Sequence, residues 1–501
     1  MPYILLYIYI LMTYDLVIIG AGPSGLALAH CCSSITDLKI LVIERENQIG
    51  GCHRVNRVKH NKEYIFTEHG PRVYTSAYIN FNYLLSEMNT SLTELFTPYN
   101  IQVTSMYDII LTPNFSELFK ILTEFIYLLM NDDYGLNISM ESYINNNNFS
   151  KKTIVLINLL CILSSGGSIK KCSLNEFLQL INQQGFSTIY EPKNCTDKKL
   201  FIIWKKFLEK KGVTFMLNSE IKKINIKDNK IISCDINDNI KIEGDKYIFA
   251  IPPKNLFELF NKSQNKLLQN SFGNVNIFKE WVNDSDYDKS ISIVFHWDIK
   301  LKLEKLFTFS TSSQWGIMFS VLSDYITFEE SISKTVISTC ITIVDKKGIN
   351  NKTANECNDK DELIEEVFNQ LKYSFPNLPK PSLVLITPNN YYNNNNKEWD
   401  SKDTAFMKSY NVDYIPFQSN VIENLYTLGC QNGKSHYIFT SLECAVSNSI
   451  YLSNILYPTL KNKYKLLKLT TIRDYLYYII ILIILILIIL NILYVYNNLH
   501  I

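Results

Sequence analysis

Hydrophobic residues in this chain fall into three patterns, and each predicts a different element. Asp15–Ile19 and Lys39–Glu44 are short, nearly unbroken apolar runs. Runs of that kind suit strands buried on both faces of a parallel sheet. Between them Leu26–Cys32 continues as a helix, which completes a β–α–β unit. Residues Phe81–Leu163 read as mostly helical, with an Asn-rich break at Asn145–Asn148. A second α/β stretch covers Leu200–Pro253. It has a helix at Leu200–Lys211 and strands at Val213–Leu217, Ile221–Lys227, Lys230–Asn237 and Lys246–Ala250. Further strands are expected at Ser290–Trp297, Thr335–Val344 and Leu425–Leu428, and helices at Asp359–Ser374 and Ser441–Leu456. Asn389–Asn396 reads as an Asn/Tyr loop, and Tyr457–Arg473 as a basic linker.

Both ends are apolar, but they differ in kind. Pro2–Met12 is short and runs directly into the first strand, so it is not expected to cross a membrane. It also lacks the basic flank and cleavage site of a signal peptide. Met12 stands just before the strand and offers an alternative start. Tyr475–Tyr496 is apolar throughout apart from Asn491. A helix of that length reaches roughly 30 Å, about the thickness of a bilayer's hydrocarbon core. Lys461, Lys463, Lys465, Lys468 and Arg473 precede it. The preference of positive charge for the cytosolic side then predicts a single-pass C-terminal anchor with the large part facing the cytosol.

Composition narrows the function. Lys+Arg number 49 against 48 Asp+Glu, with no basic stripe, so nucleic acid is not an expected partner. The 11 cysteines include no CxxC pair and suit neither zinc nor a disulfide framework, so no metal is expected. No nucleophile-elbow spacing is present, which removes the case for hydrolysis. Gly is scarce at 17 residues, so each position that keeps one is informative.

The glycines concentrate where chemistry is expected. Gly20-Ala21-Gly22-Pro23-Ser24-Gly25 fits G-x-G-x-x-G, follows a strand, opens a helix, and is followed by Glu44 at the end of the next strand. In that context Gly20 permits the tight turn, Gly22 lets a pyrophosphate approach, and Gly25 lets helix and strand pack. The helix N-terminus offers N–H groups and partial positive charge to phosphates, and Glu44 is placed for ribose hydroxyls.

Beyond that unit the sequence resembles the flavin amine oxidoreductase superfamily, which includes monoamine and polyamine oxidases, protoporphyrinogen oxidases and phytoene desaturases. Glu44-Arg45-Glu46-Asn47-Gln48-Ile49-Gly50-Gly51 matches its acidic residue, spacer and Gly-Gly pair. The Arg that usually follows the pair is Cys52 here, with Arg54 two positions on as in the protoporphyrinogen oxidases. Glu68-His69-Gly70-Pro71-Arg72 resembles a Glu-x-Gly-Pro-Arg element of that branch. GVTFMLNSEIKKI and DKYIFAIPPKNL resemble the second FAD-contacting unit, in which Ile221 would meet adenine through its backbone. NLYTLGCQNGKSHYIFTSLECAVSNS resembles the final motif. There Gly429 and Cys430 stand where the family has a Gly-acid pair, and Thr440, Ser441 and Leu442 would offer N–H groups to the flavin pyrimidine.

The resemblance implies an α/β fold with a Rossmann-like, discontinuous FAD-binding domain and an inserted α+β substrate domain, followed by the C-terminal transmembrane helix. FAD-binding parts are expected at 12–75, 200–258 and 415–458, substrate parts at 76–199 and 259–414, a linker at 459–474 and the anchor at 475–496. It also implies FAD as cofactor and oxidation of a small organic molecule, lipophilic if drawn from the membrane. Amine oxidase-like chemistry is the broad expectation and protoporphyrinogen oxidase-like dehydrogenation the narrower one. UDP-galactopyranose mutase-like isomerisation and a non-catalytic flavin-binding membrane protein stay open. For substrate-side residues, His436, Tyr437, Phe439 and Lys289 are candidates, with Lys305, His296, Trp297 and Trp315 behind them.

Overall fold

The computed structural model describes residues 13–70, 72–98, 113–165, 168–237, 240–287, 290–303, 313–402, 406–407 and 409–499. Met12, Pro71, Lys289 and Lys305 lie outside them.

One seven-stranded sheet organises the chain. Its opening unit is β1 (Thr13–Ile19), helix α1 (Pro23–Cys32) and β2 (Ile40–Ile43). β1 pairs with β2 in parallel, and β2 with β5 (Thr214–Met216). On the other side of β1 lies a longer strand than the sequence suggests. The run expected at Lys246–Ala250 is the end of β8, Ile240–Phe249. Its first residues pair antiparallel with β7 (Lys230–Ile236), which pairs with β6 (Ile221–Lys227). From Glu243 onward β8 pairs in parallel with β1. Its end also takes β13 (Leu425–Thr427) as a parallel neighbour. Lys241, Glu243 and Asp245 alternate outward along the first half, which hides the strand from a search for unbroken apolar runs.

Both faces of this sheet are covered. On one face α1 and α9 (Leu442–Leu456) pack together, with Leu26, Leu28, Val446 and Ile450 fully buried. Small residues allow the approach: the Ser449 hydroxyl donates to the Ser24 carbonyl at 2.8 Å. Helix α2 (Ile79–Glu87) closes this layer. Its N-terminal N–H groups at Asn80 and Phe81 donate to the Glu443 carboxylate, each at 2.9 Å. Glu443 also sits in the first turn of α9, so one carboxylate serves two helix N-termini.

A hairpin of β3 (Val55–His60) and β4 (Glu63–Glu68) leads from the Gly-Gly pair towards a second, antiparallel sheet. That sheet has the order β10 (Ile317–Val321), β11 (Thr335–Ile341), β9 (Ile291–Trp297), β12 (Leu383–Ile386), backed by α8 (Lys360–Leu371). The expected Asn/Tyr loop is instead a hairpin, Asn390–Asn393 with Glu398–Ser401. Helical residues form a separate cluster: α3 (Phe115–Met130), α4 (Met140–Asn147), α5 (Lys151–Ser165) and α6 (Leu174–Gln184). The Asn-rich run does not break α4 until Asn148, which takes the left-handed conformation and ends it. Helix α7 (Ile202–Lys210) joins the first core through Trp204 and Leu208.

The segment expected as a free basic linker is fastened to the body. Leu460 and Tyr464 are buried in the first core. The Tyr464 hydroxyl donates to Glu87 at 2.8 Å, and Lys463 Nζ pairs with Glu87 at 2.8 Å. Helix α10 (Ile472–Leu499) follows; Ile472–Leu493 has mean hydropathy 3.2, none of it buried, and is long and apolar enough to cross a membrane.

Glu87 therefore collects His30, Lys463 and Tyr464. Burial alone would raise its pKa, but these hydrogen bonds outweigh it and hold it at about 2 rather than 4.5. A depressed carboxylate stabilises the fold above its unfolded pKa and loses that contribution as pH falls through its folded pKa. The urea midpoint of the wild-type chain should therefore fall more steeply between pH 4.5 and about 2 than that of Glu87→Gln. Parallel curves for the two proteins would refute this role.

Candidate functional site

The two sheets and the helical cluster enclose one long cavity of about 2270 Å³. That exceeds the roughly 300–1,000 Å³ typical of a site for one small ligand. It has room for an extended dinucleotide and a second molecule.

The β1–α1 turn forms one end. Gly20, Gly22, Pro23 and Ser24 line the cavity. Gly25 does not, because its role is internal: a Cβ there would lie 2.0 Å from the Gly20 carbonyl oxygen. Helix α1 begins at Gly22 with no side-chain cap and no acidic residue in its first turn. Its N-terminus therefore presents partial positive charge to the cavity.

The Gly-Gly pair is stacked against this turn. Gly50 N–H donates to the Ala21 carbonyl at 2.8 Å. Gly51 has φ +56, and a Cβ on it would lie 2.9 Å from Gly22 Cα. Gly51 lines the cavity while Gly50 sits behind it against Phe201. Two backbone segments thus meet with no side chain between them, leaving a bare surface beside a helix N-terminus. That is the geometry a pyrophosphate needs.

Glu44 does more than the sequence suggests. One carboxylate oxygen accepts from Ala21 N–H at 2.8 Å, and the other from Glu46 N–H at 3.1 Å. It thereby fixes the turn, while still lining the cavity where a ribose would lie. Burial raises its pKa, opposed by these two N–H groups and by Arg54 and Arg45. Arg45 is more than a third exposed and pairs with Glu46, whereas Arg54 is buried; both line the cavity. Ile221, at the start of β6, lines it beside Ser219 and Glu220.

At the far end of the same surface, Gly429, Cys430, Ser441 and Leu442 all line the cavity. Ser441 is the N-cap of α9, its hydroxyl accepting from Cys444 N–H at 3.2 Å. Cys430 Sγ lies 3.5 Å from the Ser441 carbonyl. A thiol thus stands where the resemblance would place an acid. The cavity is therefore lined by two helix N-termini, with Ile19 of β1, Ile43 of β2, Ile221 of β6 and Ala250 just after β8 also in its wall.

The remaining volume has a different lining. Gly70 and Arg72 enter from the end of β4, and Met318, Cys340 and Thr342 from the second sheet. Tyr78, Tyr437 and Phe439 form an aromatic wall, with ring centroids 5.6 Å and 5.2 Å apart in successive pairs. Gln184 donates to the Tyr437 hydroxyl, which fixes that ring. His53 also lines the cavity and meets the Tyr74 hydroxyl at 3.1 Å. Desolvation first, then the nearby charges of Arg72 and His69, push His53 well below its ordinary range, so the ring is neutral at pH 7. Glu68 and Glu191 are buried near one another; burial, opposed by Arg72, raises Glu68 to about 7.

Several expected residues lie elsewhere. His436 is exposed and does not line the cavity; its carbonyl accepts from Gln183 Nε2 at 3.0 Å. His296 is buried on β9 against Ser333, and Trp297 and Trp315 belong to the core of the second sheet. These are packing residues. Conversely, sequence reasoning missed His53 and Tyr78. His53 lies two residues past the Gly-Gly pair, a position that the register of that motif could have flagged. Tyr78 precedes α2 in an ordinary polar stretch and carries no such signal.

Comparisons with known proteins agree with this geometry. Residues 18–88 match the NAD(P)-binding Rossmann-like domain family. A search of curated protein sequences found no match. Among solved structures, an oxidoreductase from Methanosarcina mazei is similar with a TM-score of 0.60 and 15% identity, over 87% of this chain and 99% of that one. A putrescine oxidase bound to putrescine is similar with a TM-score of 0.58 and 11% identity, over 89% and 99%. A protein of Pyrococcus furiosus follows with a TM-score of 0.54 and 13% identity, over 90% and 98%. The chain shares the fold of these structures. These likenesses support the resemblance to the flavin amine oxidoreductases that the sequence motifs carry.

Two glycine variants separate building the site from using it. Gly25→Ala places a methyl against the Gly20 carbonyl and should cost about 1–3 kcal/mol of stability. Gly22 has ordinary backbone angles and its nearest neighbour would lie 3.6 Å from a Cβ. Gly22→Ala should therefore change stability by less than about 0.5 kcal/mol, yet lower the dinucleotide retained through purification. Thermal melts with heat-released nucleotide quantified by chromatography would check both. Equal retention by Gly22→Ala and the wild type would contradict the pyrophosphate assignment.

Proposed function

We propose that this chain is an FAD-dependent oxidoreductase of the amine oxidase type, anchored by α10 with its body in the cytosol. The observation that carries the reading is the bare Gly22–Gly51 surface at an uncapped helix N-terminus, inside a cavity that continues to a second helix N-terminus at Ser441. The first end suits a pyrophosphate, and the second suits an electron-accepting ring system that gains negative charge. Residues 12–75, 200–258 and 415–458 would form the FAD-binding domain, and 76–199 and 259–414 the substrate domain.

When bound, FAD supplies hydride acceptance from a substrate C–H bond. The chain's residues supply the rest. Glu44 would hold the ribose, with Arg54 and Arg45 nearby to offset its charge. The N–H groups of α1 would take the phosphates. Ser441 and Leu442 would face the pyrimidine end of the ring. Gly70 and Arg72 would border the cofactor on the substrate side, and Pro71 joins them in sequence. Tyr78, Tyr437 and Phe439 would hold an apolar part of the substrate and keep water from the reacting carbon. A small, lipophilic organic molecule fits that lining and an address at a membrane.

The purified chain should carry the yellow absorbance of oxidised FAD. Anaerobic addition of members of a panel of amines, porphyrinogens and polyenes should bleach it with the correct substrate. Protein that binds no flavin would defeat the proposal. Flavin that must first be reduced before a sugar nucleotide is turned over would favour a mutase instead.

A further inference from the structure

Helix α3 is apolar on two sides, and among the described residues one of them is exposed. Its inner side, with Ile121, Phe125 and Leu128, is buried against α4, α5 and α6. Its outer side carries Phe115, Phe119, Leu122, Ile126 and Met130, which are 86, 64, 48, 56 and 72% exposed. Their spacing of four, three, four and four residues makes one continuous stripe along four turns. A water-facing helix side normally carries charged and polar residues. The helix is firmly built: Glu117 closes a capping box with Asn114 and accepts from the Thr153 hydroxyl at 2.7 Å. The stripe is therefore a fixed surface rather than a frayed end.

What covers it is indicated by the chain's own C-terminal helix. The first turn of α10 is fastened to the far end of α3. Arg473 Nε donates to the Leu129 carbonyl at 2.9 Å, and Arg473 pairs with Asp132 at 2.7 Å. The Arg473 N–H donates to Asn182 on α6 at 2.9 Å. Tyr475 packs edge-on against Phe186, itself 74% exposed, with centroids 5.6 Å apart. The Met130 end of the stripe thus lies beside the start of the apolar span, at the level where that span would enter a bilayer.

We propose that the outer stripe of α3 is a second membrane-contact surface, seated in the interfacial layer of the bilayer that α10 crosses. An amphipathic helix lying in that layer buries such a stripe among headgroups and acyl chains. The consequence reaches the cavity. Ile154, Val155, Leu180 and Gln184 of α5 and α6 form part of its wall, and Val155 is 48% exposed. Helix α6 packs on both α3 and α10, and α5 packs on α3, so this wall lies on the side of the molecule where α10 begins. A lipophilic substrate would enter from the bilayer rather than from water. The inference rests on reading α10 as an anchor, but not on the identity of the substrate or on turnover.

The test uses the full chain reconstituted in phosphatidylcholine vesicles, with and without brominated acyl chains, which quench tryptophan at short range. Phe119→Trp and Ile126→Trp place probes on the stripe. Ile277→Trp is the reference, because Ile277 is 65% exposed on a helix that packs against the first sheet. Wild-type emission is subtracted, and flotation is read on each sample. The expected result is flotation of all four proteins, with the added emission at 119 and 126 quenched about twofold or more and that at 277 unchanged. Flotation without quenching at 119 and 126 would overturn the contact while leaving the anchor intact. So would a blue-shifted but unquenched probe, which would mean that a second copy of the chain covers the stripe. Failure to float would remove the anchor and this inference together.

Discussion

Everything in this molecule depends on two stretches of backbone approaching without side chains between them. At Gly22 and Gly51 the turn after β1 and the loop after β2 touch through their Cα atoms. Gly25 allows the same closeness between α1 and the turn itself. Once these contacts form, Glu44 can reach Ala21, Gly50 can bond to it, and the chain is directed into the β3–β4 hairpin that carries it to the second sheet. A methyl group at the wrong one of these positions displaces backbone rather than a flexible side chain, and backbone has few ways to yield. The site is therefore defined by absent atoms as much as by present ones.

Around that contact the charge is arranged economically. Two helix N-termini face one cavity, and one has no internal compensation. The other shares Glu443 with α2, so its field is partly spent on holding the fold together. Glu44 is likewise both a structural brace and a surface of the site. Residues with two duties are poor candidates for neutral change, because a substitution that spares one duty damages the other.

The fold was legible where the signal was periodic or compositional. The β1–α1–β2 unit, the β6–β7 pair and the final helix follow from apolar runs and a glycine string, and the structure holds them close to the expected bounds. The expected dinucleotide end of the site follows from the same string, since Gly20, Gly22 and Glu44 are read from local order, while Gly51 comes from the family resemblance. The rest depended on pairing across long separations. Strand β8 looked short because half of it alternates polar and apolar residues towards β7. The segment after Tyr457 looked like a linker because its lysines mask Leu460 and Tyr464, whose burial depends on α1 and α2, hundreds of residues earlier. His436 and His296 drew attention as histidines near a motif or a strand end, but only the tertiary packing decides which side a ring occupies. The aromatic wall joins Tyr437 and Phe439, which the sequence offered together, to Tyr78, which no local pattern connects to them.

Strand β8 also has a consequence in time. Its two parallel neighbours, β1 and β13, are separated by some four hundred residues of chain. The central sheet therefore cannot be completed until nearly all of the polypeptide has been synthesised, and long-range parallel pairing is intrinsically slow. Until then the buried end of β8, Tyr247–Phe249, keeps an open edge where β13 will pair, the kind of surface that aggregates or calls on chaperones. A nascent chain would spend longer at risk than one whose nucleotide fold closes within its first hundred residues. A cofactor that binds across all three segments would act as the last piece, locking the sheet only after its final strand has arrived.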